Sequence, residues 1–176
     1  MNALKTMGIA LGGLMLTTTL GFAAETAKPT DPEIAHIVYT ADTIDIKAAE
    51  HAVKTSKNKA VLEFAKDMIR DHEAVNKQAL ALAAKLKVTP KDNATSQALT
   101  KQADATAKHL ATLKGAAFDK AYADNEVAYH HAVNTALETT LIPAAQNAQL
   151  KDLLTTGLKI FQGHEEHARM VAGELK

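Results

Sequence analysis

The 176-residue sequence contains no cysteine and no tryptophan. The first absence excludes disulfides, thiolate metal ligands and a lipid anchor on cysteine. With aromatics at only 4%, the core has to come from Ala, Leu, Ile and Val. Proline (4) and glycine (8) are sparse, and an Ala-rich chain with few of either favours helix. Neither sign of charge prevails, with 20 basic residues against 20 acidic. Nothing therefore points to nucleic acid or to a charged membrane surface as partner. A Gly-rich phosphate loop and a Gly-x-Ser-x-Gly nucleophile turn are both missing. No segment alternates with period two for long enough to argue a strand.

The N-terminus reads as an export signal. Lys5 supplies a positive start, Met7 to Leu20 is an uncharged apolar run, and Gly21-Phe22-Ala23 offers small residues for cleavage before Ala24 or Glu25. The run is too short and too rich in Gly and Thr to span a bilayer, which takes about 20 apolar residues. The expected organisation is a signal peptide over 1–23, a disordered lead-in over 24–30 and one helical domain over 31–176. The expected location is the periplasm, with no integral membrane span in the mature chain. The oligomeric state is left open.

Five helices are expected. Asp31-Pro32-Glu33 reads as a helix start, with an N-cap, Pro in the first turn and an acid behind it. The first helix runs to about Lys54, and the second from after Asn58 to about Lys87, stopped by Thr89-Pro90. A shorter third spans about Ala94 to Leu113, closed by Gly115. The fourth starts near Ala116 and ends before Pro143, and Asn147 caps the fifth. Four long helices and a shorter one running the bundle's length predict an all-α, ferritin-like four-helix bundle with a crossover helix. A five-helix up-and-down bundle is the alternative.

The apolar stripes carry polar interruptions. Asp45 falls between Ala41 and Ala48, His72 between Met68 and Val75, and His164 between Phe161 and Ala168. Glu126 and His130 share a face with Tyr122, Val133 and Leu137. At 1.5 Å per residue, Asp45, His72 and His130 lie about 20–21 Å from their helix starts, and His164 about 26 Å. In alternating helices these positions meet within roughly two turns of one level. Buried charge is costly unless paired or metal-bound. The candidate ligands are therefore His72, His130, His164, Asp45 and Glu126, with Asp71, His167 and Met68 as secondary candidates. Carboxylate and imidazole suit Fe, Cu, Zn or Mn. None of these positions belongs to a Glu-x-x-His, which argues against a standard di-iron site. A mononuclear His-rich site, with copper if Met68 takes part, fits the residue types better. A metal-free hydrogen-bonded cluster that fixes helix register is the competing reading. His36, His51, His109 and His131 read as solvated or rim residues, and the tyrosines as core aromatics.

Phe64-Ala65-Lys66-Asp67-Met68-Ile69-Arg70-Asp71-His72 and Gly115-Ala116-Ala117-Phe118-Asp119-Lys120-Ala121-Tyr122, followed by His130 and His164, resemble the bacterial domain-of-unknown-function 4142 family. The resemblance covers about Asp31 to Val171. It implies an exported ferritin-like bundle and no established activity. It also implies histidines at 72, 130 and 164, and a carboxylate at 45 where that family often has Glu. Together these readings describe a metal-binding envelope protein of uncharacterised activity. They lean away from an enzyme, with a metal-dependent oxidase as the enzymatic form. The alternative is a non-enzymatic stress or interaction protein.

Overall fold

The computed structural model describes residues 28–175, so the signal-peptide expectation and residues 24–27 of the expected lead-in lie outside it. The helices are α1 (Asp31–Thr55), α2 (Lys59–Leu86), α3 (Ala94–Ala111), α4 (Gly115–Ala136), α5 (Ile142–Ala144) and α6 (Ala148–Glu174). A π-helical turn, Leu137–Leu141, joins α4 to α5. Among the described residues there is no strand, and no helix is long and apolar enough to cross a membrane.

Asparagines start three of the helices. Asn58, Asn93 and Asn147 each accept from two backbone N–H groups of the following first turn, groups that have no partner within the helix. The cap of α1 differs from the expectation: it is Thr30, whose N–H and hydroxyl both donate to Glu33 Oε2 at 3.0 and 2.7 Å. Asp31 instead reaches across the fold, accepting from Gln146 N and Asn147 N at 2.8 and 2.9 Å. It thereby ties the start of α1 to the start of α6.

Gly115 does not close α3. It opens α4 with φ +56°, a left-handed value that glycine adopts without penalty. At the end of α2, Lys87 takes the left-handed conformation, and the N–H groups of Lys87 and Val88 bond back to Ala84 O and Ala83 O. Pro143 does not stop the fourth helix either. Ile142 N–H reaches five residues back to Leu137 O, and the wider turn carries the helical path through a proline that has no N–H to give.

Short connections set the course of the chain. The three residues between α1 and α2 make an antiparallel hairpin. Lys91 N–H then donates to Pro32 O, and Asn93 Nδ2 to Glu33 O, which returns the chain to the start of α1. From there α3 runs the length of the bundle, so that Leu110 packs with Ala49, Val61 and Phe118 at the opposite end. Next α4 descends until Leu137 and Leu141 pack with Ile34 and Ile37. Finally α6 ascends, from Leu150 in that cluster to Val171 in the other. The result is two antiparallel pairs joined by a crossover helix.

The core is split into two apolar clusters, one at each end of the bundle. Large aromatics anchor the upper one: Phe64, Phe118 and Tyr122 are fully buried, with Met68 beside them. Phe64→Ala is expected to cost about 3–5 kcal/mol. At about 2–4 °C per kcal/mol for a chain of this size, calorimetry should show a midpoint lower by roughly 10 °C. Between the clusters the buried residues change character. Asp42, Asp45, His72, Glu126, His130 and His164 fill the middle, each no more than 6% exposed.

Candidate metal centre

The four long helices each bring at least one side chain to this middle layer. His72 comes from α2, His130 from α4 and His164 from α6, with ring centroids 5.2–5.7 Å apart. One ring nitrogen of each lies within 4.8 Å of the others. From α1, Asp45 places Oδ2 3.2 Å from His72 Nε2 and 3.4 Å from His130 Nε2. Tetrahedral bonds of about 2.0–2.1 Å would put ligand atoms about 3.3 Å apart. The two Asp45 spacings match that figure. A second, overlapping group is formed by Asp45, Glu126 and His130.

The other ring nitrogen of each histidine is anchored. His130 Nδ1–H donates to Glu126 O at 3.0 Å. A carbonyl can only accept, so in a neutral ring the lone pair falls on His130 Nε2. His164 Nε2–H donates to Asp71 Oδ2 at 3.1 Å. Hydrogen bonds from Arg70 hold the Asp71 carboxyl below its usual range, keeping it an acceptor and leaving the lone pair on His164 Nδ1. His72 Nδ1 lies 2.9 Å from Asp42 Oδ1; when Asp42 is ionised, Nδ1–H donates to it and His72 Nε2 is left bare. Phe161 stacks on the His72 ring at 4.7 Å and 9° and fixes its plane. The bare nitrogens, His72 Nε2, His130 Nε2 and His164 Nδ1, are all buried without a hydrogen-bond partner. An acceptor holding one ring N–H while the opposite nitrogen stays free is the arrangement that orients metal-ligating histidines.

Electrostatics favour a cation at this point. Burial pushes the imidazoles of His72 and His164 down to about 3 and about 4, so both are neutral. Burial also holds Asp45 up to about 7 and raises Asp42 and Glu126 well above the carboxylate range. No lysine or arginine pairs with these three acids among the described residues. Two imidazole lone pairs facing one carboxylate oxygen repel unless a proton or a metal ion lies between them.

The remaining candidates fall into supporting places. Glu126 takes Asn125 Nδ2 on Oε1 and keeps a buried, unpartnered Oε2. Asp71 orients His164 from the half-buried rim. His167 packs edge-on against Phe64 at 5.1 Å, and Met68 lies in the upper apolar cluster. Glu33 and His36 have the Glu-x-x-His spacing, but Glu33 is engaged at the helix cap and His36 sits beside Asp92 at 3.8 Å. Among the other histidines, His131 is exposed and His51 packs edge-on against Phe118.

Asp42 was not among the candidates. The expected stripe ran Ala41, Asp45, Ala48, Ala52, whereas the buried positions are Ala41, Asp42, Asp45, Ala49 and Ala52. A stripe stepping from Val38 by four would have reached Asp42.

The model of the domain of unknown function DUF4142 matches residues 17–171. The chain belongs to this family. No curated protein matches. Among solved structures, the fold is similar to that of a protein described as CopM in the Cu(II)-bound form, with TM-score 0.65 and 12% identity. The match covers 85% of this chain and 100% of that one. At that identity the likeness concerns the fold. In this DUF4142 protein, the centre above is a set of buried His, Asp and Glu side chains that could hold a metal ion.

Proposed function

We propose that this protein is an exported transition-metal binder of the bacterial envelope. It holds one ion through His72, His130, His164 and Asp45, with copper preferred over Fe, Zn and Mn. The observation that carries this reading is the convergence of three buried histidines, one ring nitrogen of each within 4.8 Å of the others, and each with one ring nitrogen anchored and the other unpartnered. Three imidazoles and one carboxylate, without thiolate, suit copper or zinc. The Cu(II)-bound state of the structurally similar CopM favours copper. Asp42 and Asp71 orient the rings, and Glu126 adds charge beside the ion. Export rests on Lys5, the apolar run to Leu20 and the small residues ending at Ala23.

The test is elemental analysis of the folded protein after exposure to equimolar Cu, Zn, Fe and Mn. About one copper per chain is expected, and His164→Ala should lose it. A folded protein retaining no metal from this mixture contradicts the proposal and leaves the cluster a register-fixing device.

A further inference from the structure

The middle layer holds two ligand groups, and the copper reading uses only one of them in full. His72, His130 and His164 come from α2, α4 and α6, whereas Asp45, Glu126 and His130 come from α1 and α4. In each group one ligand atom per residue lies within 4.8 Å of the others. His130 is common to both.

Three imidazoles and Asp45 around one ion leave Glu126 without a ligand's task. Yet Glu126 is 1% exposed, and its Oε2 is buried with no hydrogen-bond partner, 3.6 Å from His130 Nδ1. Asp45 is two-sided. Its Oδ2 faces the Nε2 atoms of His72 and His130, while Oδ1 is buried and unpartnered. No lysine or arginine pairs with either carboxyl among the described residues. Two ionised carboxylates balance one divalent cation, which offsets the cost of burying either sign alone. Two carboxylates and one imidazole also make a harder set than three imidazoles. Carboxylates suit magnesium, calcium and manganese. The first two take oxygen ligands, so the ring nitrogen narrows the choice to manganese.

We propose that Asp45, Glu126 and His130 form a second, alternative ion position in this centre, for Mn(II). A neutral imidazole has one lone pair, so His130 serves one ion at a time and the two positions exclude each other. Manganese stands at the weak end of the divalent series and copper at the strong end, so copper displaces it. This deepens the metal reading and rests on it, but each position has ligands that the other lacks: His72 and His164 for copper, Glu126 for manganese.

Electron paramagnetic resonance of the metal-free protein titrated with Mn(II) tests the proposal. Saturable binding of a single ion is expected, with one imidazole nitrogen coupled to the manganese in pulsed spectra. One equivalent of Cu(II) should expel it. Glu126→Gln should weaken Mn(II) about tenfold or more relative to Cu(II), and His164→Ala should do the reverse. No saturable Mn(II) binding, any other number of coupled imidazole nitrogens, both ions held together, or variants that weaken the two metals equally overturns it. The nitrogen count is made on the unsubstituted protein, so it decides the matter even if a variant does not fold. Protein that takes copper but no manganese refutes this inference alone. Protein that takes manganese but no copper refutes the copper reading alone.

Discussion

His72→Ala is expected to lower copper affinity by well over the 10–100-fold that follows loss of a supporting hydrogen bond to a ligand. His72 is the most constrained of the three imidazoles. Asp42 holds Nδ1, Phe161 covers one face, and Nε2 lies 3.2 Å from Asp45 Oδ2. Alanine removes the ligand atom and leaves Asp42 buried without its partner. Apparent stability should also fall, by about 1–3 kcal/mol for a stranded buried polar group. Two comparisons separate ligation from packing. Asp42→Asn keeps an acceptor for Nδ1 and should cost about 10–100-fold in affinity, as weakening the hydrogen bond behind a ligating imidazole does. His131→Ala removes an exposed imidazole and should change nothing. Isothermal titration with Cu(II) reads all three. Equal affinity in His72→Ala and the parent would remove His72 from the centre.

In the metal-free protein, stability is expected to fall as pH rises from about 5.5 to 7.5, and copper is expected to reverse that trend. Asp45, ordinarily near 3.8, is held up to about 7, and Asp42 and Glu126 are raised well above their usual values. In this window the folded chain keeps protons that the unfolded chain has released, so stability drops as pH rises through the folded values. His72 and His164, ordinarily near 6.5 and lowered to about 3 and about 4, act the other way. Their contribution is full above 6.5 and lost as pH falls. Three carboxyls oppose two imidazoles, and above 6.5 only the carboxyls still titrate, so the carboxyl trend prevails. A bound ion strips the protons from the acids, and proton competition then weakens binding as pH falls. Thermal midpoints should be a few degrees lower at pH 7.5 than at 5.5 without metal, and higher with it. The same sign in both states would contradict the cation-centred account of these acids.

The fold was largely legible because its signals are local. Pro32 with Glu33, Asn147 before the last helix, and the 3.6-residue stripes placed the helices within a few residues. Where local signals misled, a tertiary demand had won. Asp31 serves α6 rather than its own helix, Gly115 opens a helix rather than closing one, and a π-helical turn carries the chain through Pro143. The candidate ligands were legible for a different reason. A histidine or acid in a buried stripe is costly enough to stand out, and rise per residue alone put four of them at one level. Asp42 escaped because a one-residue error in stripe phase hides a polar position behind Ala41. The anchoring of each imidazole by Asp42, Glu126 O and Asp71 depends on ring rotation and helix spacing, which no spacing rule carries.

The most direct test is anomalous diffraction from copper-loaded crystals, collected at the copper edge. The account predicts one peak about 2 Å from a single ring nitrogen of each of His72, His130 and His164 and from Asp45 Oδ2. Loaded, folded protein with no peak among those four side chains, or with copper held only at surface histidines such as His131, would contradict it.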